Sequence, residues 1–191
     1  MRRPLPLLPL LLLLLLAPGV AAAQDRPLLQ PTRDVEVTYQ TAPGGAATEQ
    51  RTRWLVAERR MRVDTPAPGV YMIVDYAARR MSMVSERDRG VVEMASGAGP
   101  LSVAPGGAAS GAGPEAGYTR RGTDRVAGLP CTEWQTTDSE GAPTLACITD
   151  DGVMLRARRG NEVLVQAARV RYGPQDPAVF RVPDGYRRVQ R

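Results

Sequence analysis

Period-two alternation, cut into short lengths by glycine and proline, is the feature that most constrains this chain. Val35, Val37 and Tyr39 point one way while Asp34, Glu36, Thr38 and Gln40 point the other. Successive side chains of a strand face opposite sides, so this run reads as a half-buried strand. Thr52, Trp54 and Val56 repeat the pattern between Arg51, Arg53 and Leu55. Met61 and Val63 alternate with Arg60, Arg62 and Asp64, and Val70, Met72 and Val74 oppose Tyr71, Ile73 and Asp75. Met81 to Ser85 follows, and Glu86 to Met94 reads as a short helix or a further strand, with Gly90 against the helix. Beyond residue 117, Tyr118–Val126, Cys131–Thr137, Thr144–Thr149, Val153–Arg159 and Glu162–Tyr172 read as strands, and Val179–Val182 as a last short strand or edge segment. Asp150-Asp151-Gly152 is a hairpin signal, because those residues tolerate positive φ. About ten or eleven short strands with regularly spaced turns predict a mainly β domain. The expected form is a single antiparallel, strongly curved sheet or incomplete β-barrel, with few or no helices after the leader.

The leader is residues 1–23. Arg2 and Arg3 precede an apolar stretch from Pro4 to Val20, with unbroken leucine from Leu10 to Leu16, and Ala21-Ala22-Ala23 follows. A basic start, a short apolar core and small residues at the end make a secretory signal peptide, cut after Ala23. The expected location is the periplasm or the secreted fraction, with no membrane span once the leader is removed. Residues 24–32, containing Pro27 and Pro31, read as an extended arm, and 33–191 as one β domain. Within it, 95–117 is almost all Ala, Gly, Ser and Pro and is expected to be a flexible loop. Neither half beside that loop has enough strands for a core of its own.

Among 191 residues there are 25 basic side chains and 20 acidic ones, and every basic one is arginine. With no lysine and no histidine, the Ser-His-Asp and Cys-His nucleophile systems, Schiff-base lysines and histidine metal sites are all excluded. No catalytic residue, metal site or cofactor is expected. Aromatics make up only 5% and arginines are interleaved with acids, so a stacking, basic nucleic-acid face is not expected either. Arg51, Arg53, Arg60 and Arg62 form a basic cluster that reads as a solvated strand face, or as a surface for anionic lipid head groups or acidic partners. Cys131 and Cys147 are the two cysteines; in an oxidising compartment an isolated pair lacking C-x-x-C spacing reads as one structural disulfide.

Three later stretches carry a resemblance. They are Val126-Ala127-Gly128-Leu129-Pro130-Cys131-Thr132-Glu133-Trp134, then Cys147-Ile148-Thr149-Asp150-Asp151-Gly152-Val153-Met154-Leu155, then Phe180-Arg181-Val182-Pro183-Asp184-Gly185-Tyr186. Together they resemble exported bacterial families of unknown function that are similar in fold to the LolA/LolB-like lipoprotein carriers. Arg53-Trp54, Arg62-Val63-Asp64 and Met72-Ile73-Val74-Asp75 fit the same order. The resemblance implies an incomplete antiparallel barrel whose concave apolar face is covered by a few helices, although no clear lid helix is visible in this sequence. It transfers no ligand-binding residue.

The candidate site is therefore a face. Trp54, Val56, Met61, Met72, Val74, Met83 and Trp134, with Val63 and Met81, are placed to line one concave apolar surface or simply to fill the core. The expected function is an exported, non-catalytic binding protein that carries or senses a lipid, acyl chain or lipidated partner. The alternative is an envelope interaction protein with a filled core and no small ligand.

Overall fold

The protein is described by a computed structural model over residues 26–41, 48–95, 117–137 and 141–190. The expected leader at 1–23 and the interior of the expected loop at 95–117 lie outside the described residues. Six strands form a first meander: β1 (Val35–Thr41), β2 (Thr48–Leu55), β3 (Arg60–Asp64), β4 (Val70–Asp75), β5 (Arg80–Ser85) and β6 (Gly90–Ala95). Five form a second: β7 (Thr119–Val126), β8 (Leu129–Thr137), β9 (Pro143–Ile148), β10 (Met154–Arg159) and β11 (Glu162–Tyr172). A short β12 (Arg187–Gln190) closes the chain.

All twelve strands belong to one sheet, in the order β12-β6-β5-β4-β3-β2-β1-β11-β10-β9-β8-β7. The two meanders meet where β1 pairs with β11, Val35 opposite Tyr172. Every pairing is antiparallel except β12 against β6. Strands β12 and β7 end the order without pairing to each other, so the sheet is an incomplete barrel, as the alternation predicts. The curl is strong. Arg156 on β10 forms an ion pair with Asp124 on β7, although β8 and β9 lie between them in the order. A bulge at Met154/Arg156 contributes to that curl, since an extra residue bends the strand and increases its twist.

Two local expectations are corrected. Residues 86–89 are a turn and Gly90–Ala95 is strand, so the helical option for Glu86–Met94 falls away. Arg89 ends that turn with φ 45°, and Arg59 and Arg79 do the same in the two preceding four-residue hairpin turns. The second correction concerns Val179–Val182, which is not a strand. Pro177–Phe180 is a 3-10 turn, capped where the Asp176 carboxylate accepts the Ala178 N–H at 2.9 Å. Proline is tolerated in the first turn of a helix and removes a ladder donor from a strand, and here it opens the turn. The final strand lies further on, at Arg187–Gln190.

This C-terminal passage covers the outer face of the first meander. Tyr71, Ile73, Val84 and Val91 form a buried cluster there with Val182 and Tyr186 packed on it. Phe180 is 1% exposed. Arg62 anchors the passage, donating to the Val179 carbonyl at 2.8 Å while its guanidinium lies 3.6 Å from the Tyr71 ring centre. The larger core lies on the inner face and runs through both meanders, from Val63 and Val74 to Leu155 and Val165.

Cys131 and Cys147 form a disulfide with their Cα atoms 5.4 Å apart, and both are buried. Cys147 lies opposite Glu133, so the bridge ties β8 to β9 diagonally.

Candidate functional site

Strand register assembles the candidate face. Each inner residue of one strand lies opposite an inner residue of the next, because paired residues share a face. One transverse row across β1 to β6 is Val35, Trp54, Met61, Val74, Met81 and Met94. The adjacent row is Val37, Thr52, Val63, Met72, Met83 and Val92. Trp54, Met61, Met72 and Val74 are thus brought together, with Met83 at the end of the second row. Trp54 stacks on Tyr76, ring centres 5.1 Å apart. Trp134 lies on the same side of the sheet, in register with Ala146, Ala157 and Val165. It packs in a separate cluster with Ala146 and Ile148, and Met154 bridges that cluster to the main core. Val56 lies past the end of β2, in the turn. Its N–H donates to Asp34 Oδ1 at 2.8 Å and its carbonyl accepts the Arg59 N–H.

Exposure rises along the second row. Val63 is fully buried, Met72 is 7% exposed and Met83 is 41% exposed. Met81, Val92 and Met94 beside it are half-buried. The face is therefore closed over β1 to β3 and open over β5 and β6.

The closure comes from the N-terminal arm, which the sequence marks as extended without showing where it docks. Pro27 and Pro31 are buried. Leu29 and Pro31 line, with Val37, Tyr39, Trp54 and Met61, a residual cavity of about 60 Å³. That is far below the ~300–1,000 Å³ of ordinary small-ligand pockets. The Thr149–Val153 turn holds the arm. Thr32 N–H donates to the Asp151 carbonyl at 3.0 Å, and Arg33 pairs with the Asp151 carboxylate at 2.9 Å while lying over the Tyr172 ring. Gly152 has φ 89°, and a Cβ there would stand 2.2 Å from the Gln30 carbonyl oxygen. Only glycine allows both that backbone conformation and that approach. The Asp150-Asp151-Gly152 turn is thus also the arm's seat. The clue in the sequence was Leu28-Leu29 between two prolines, an apolar pair in a segment that forms no strand.

The outer face is polar and internally paired. Arg53 sits between Glu36 at 3.1 Å and Asp64 at 2.9 Å. Arg62 bonds Asp64 at 2.7 Å, and Arg60 bonds Glu58 at 2.6 Å and Asp75 at 3.1 Å. Arg51 reaches Glu36 only at 3.9 Å. The basic cluster is therefore a neutralised lattice of ion pairs, across strands for Arg53 and Asp75 and local for Arg62–Asp64 and Arg60–Glu58. It borders two shallow polar grooves, one of about 470 Å³ beside Glu36, Arg51 and Arg171, and one of about 530 Å³ beside Asp75, Ser82 and Phe180.

Asp75 and Asp151 show how the acids are held. Burial pushes the Asp75 carboxyl up, but the Ala78 N–H and the Arg60 guanidinium outweigh it and hold the pKa below the usual 3.8. Burial likewise pushes Asp151 up, and the Thr149 hydroxyl, Arg33 and the Tyr172 hydroxyl bring it below the same value. Both groups are therefore held as carboxylates, the opposite of a proton donor. The unfolded chain takes up these protons first as pH falls, so their stabilisation is complete above the unfolded pKa and is lost as pH drops through the folded one. Urea unfolding is expected to show stability falling from about pH 5 to pH 3, with a shallower fall in Asp75→Asn and Asp151→Asn. Equal slopes in wild type and both variants would contradict these shifts.

Among the described residues no group of three or more histidine, cysteine or carboxylate side chains is placed to hold a metal ion. No helix among them is long and apolar enough to cross a membrane.

No protein-family model matches the chain, and no curated protein does. Solved structures do match. An uncharacterized conserved protein from Thermus thermophilus superposes with a TM-score of 0.58 at 15% identity, over 83% of this chain and 91% of that one. PNGF-II gives 0.55 at 12% identity, again over 83% of this chain but only 31% of the larger one. The Pseudomonas aeruginosa MucA/MucB complex gives 0.50 at 14% identity, over 78% of this chain and 56% of the matched chain. At these identities the likeness is one of fold.

Proposed function

We propose that this is an exported, non-catalytic binding protein that holds an apolar chain on its inner face, either a lipid, an acyl group or the lipid of a lipidated partner. The observation that carries this reading is the gradient from buried Val63 to Met83, 41% exposed, along one continuous row. Removing apolar surface from water is worth about 25 cal/mol per Å². An open methionine strip joined to a deep apolar floor is therefore a ready acceptor. Methionine is unbranched and polarizable and adapts to irregular apolar shapes. Met83 and Met72 make the first contacts with Val74 beside them; Trp54 and Met61 continue the row inward beneath the arm, and Val56, in its turn, and Trp134, in its separate cluster, lie outside the open strip. Export rests on the leader, with its leucine core and Ala21-Ala22-Ala23 end. No cofactor enters, and neither nucleic acid nor a spanning segment is part of the reading.

A second reading has its own support. The arm leaves only about 60 Å³ over the Trp54 end, and the fold is shared with a chain solved in the MucA/MucB complex. Under it, the protein works in the envelope through a protein partner and carries no small ligand.

Native mass spectrometry of the protein from its own envelope fraction, followed by lipid extraction, separates the two. An acyl species bound one to one, and lost in Met83→Asp, is expected. An apo mass in both proteins overturns the carrier reading and leaves the partner-binding one. Met83 is exposed enough for the aspartate variant to fold.

A further inference from the structure

The outer groove beside the C-terminal passage has charges that do not cancel. It measures about 530 Å³, within the ~300–1,000 Å³ of ordinary small-ligand pockets. Arg60, Arg80, Arg181 and Arg188 line it together with Glu58, Asp75 and Glu93, four guanidinium groups to three carboxylates. The carboxylates are already engaged. Arg60 holds Glu58 at 2.6 Å and one Asp75 oxygen at 3.1 Å. The Ala78 N–H donates to the other Asp75 oxygen at 2.8 Å, and Arg188 holds Glu93 at 2.7 Å.

Arg80 is the charge left over. It is exposed and lies opposite Asp75 in the ladder, yet its side chain makes no ion pair among the described residues, because Arg60 and Ala78 already occupy both Asp75 oxygens. Two further arginines are loosely held. Arg181 reaches Glu58 only at 3.9 Å with its side chain 66% exposed, and Arg188 is 52% exposed beyond its single contact. A guanidinium carries five N–H donors, so all three keep donors to spare. Ser82 adds a hydroxyl on the groove floor, two residues from Arg80 on the same side of β5 and opposite Glu93 on β6. Phe180 and Val182 back the groove with apolar surface, which strengthens charge interactions beside it.

From this surplus we infer that the groove binds a phosphate monoester, with Arg80, Arg181 and Arg188 as the groups that hold the anion. A carboxylate has two oxygens, and one guanidinium fork satisfies both. A phosphate monoester offers three accepting oxygens and up to about two negative charges. That matches forks arriving from three separate elements, β5, the C-terminal passage and β12. The same group is presented by a free phosphorylated metabolite and by the headgroup of a phosphorylated lipid. The site lies on the face opposite the methionine strip and does not depend on the carrier reading.

Calorimetric titration of the purified protein with glycerol 3-phosphate is expected to give one site. Affinity should fall about tenfold in Arg80→Gln, the loss of one charge-assisted contact, and several-fold in Arg181→Gln. Arg169→Gln, in the other outer groove, is expected to bind as wild type does. All three side chains are exposed, so the variants are expected to keep the wild-type Tm. Glycerate, whose anion is a carboxylate, should bind about tenfold more weakly than glycerol 3-phosphate, and equal affinity overturns the phosphate assignment. Sedimentation with phosphatidylcholine vesicles containing phosphatidic acid separates the two sources. Vesicle binding that Arg80→Gln abolishes assigns a lipid headgroup, and glycerol 3-phosphate binding without vesicle binding assigns a free ester. A wild-type protein that binds neither probe, or an Arg80→Gln protein that binds as wild type does, overturns the site.

Discussion

Phe180→Ala is expected to destabilise the domain by about 3–5 kcal/mol, the usual range for emptying a buried phenylalanine site. Phe180 is the chain's only phenylalanine and is 1% exposed. It fastens the 3-10 turn to the outer face, where Ile73 and Ser82 line the same groove. Its removal leaves a void and loosens the passage from Pro177 to Tyr186. The damage is expected to be lopsided. Hydrogen exchange should rise in β12 and along β6, whose parallel pairing depends on that passage, and stay slow in β1 and β11. Phe180→Leu should recover most of the loss. Chemical denaturation of the three proteins checks the magnitude, and a loss below about 1 kcal/mol would show that the outer cover does not depend on this ring.

The second large effect is the disulfide. With sequence separation 16 between Cys131 and Cys147, the chain-entropy account gives about 3 kcal/mol. For a domain of this size that corresponds to a fall in Tm of about 6–12 °C in Cys131→Ala/Cys147→Ala. Both cysteines are buried within the main core cluster, so alanine also removes packing at two positions. Scanning calorimetry of the double variant against oxidised wild type checks the sum. An unchanged Tm would mean that the β8–β9 ladder holds this corner without the bridge. The acyl binding proposed for the inner face is expected to survive, because Trp54, Met72 and Met83 lie in the other meander.

Much of the fold was legible residue by residue. Val35-Glu36-Val37-Thr38-Tyr39 alternates as strictly in its burial as in its chemistry. The same holds for Arg60 to Asp64, where three charged side chains face outward and Met61 and Val63 face in. The cysteine pairing is readable from count and spacing, two cysteines without C-x-x-C. What failed was local and understandable. Val179-Phe180-Arg181-Val182 looks like an edge strand by composition, yet Asp176 and Pro177 start a tighter turn that drops Phe180 onto the sheet. The apolar character of that segment was a true signal of burial and a misleading one of conformation.

The candidate face divides in the same way. Alternation alone predicted that Trp54, Met61, Met72 and Val74 share a side, because a strand has only two sides. It had no means of giving Met83 a different exposure from Met72, its cross-strand partner. That difference is tertiary: Met72 packs into the main core cluster and Met83 lies outside it. Trp134 shares the side of Ala146, Ala157 and Val165 by parity. Its packing with Ala146 and Ile148 rather than with Trp54 follows from the curl of β7 to β10, which no local pattern encodes.

The sequence by itself therefore determined strand, side and bridge: period-two hydrophobicity, glycine and proline punctuation, and a lone cysteine pair are local or countable properties. Only the tertiary structure decided what lies over the inner face and what lies over the outer one. The contacts between Gln30 and Gly152, Arg33 and Asp151, and Arg62 and Val179 span over a hundred residues of chain. Such contacts form because the curl of the sheet and the β1–β11 pairing bring those surfaces together, and burial there repays the ordering of segments that have no regular structure of their own.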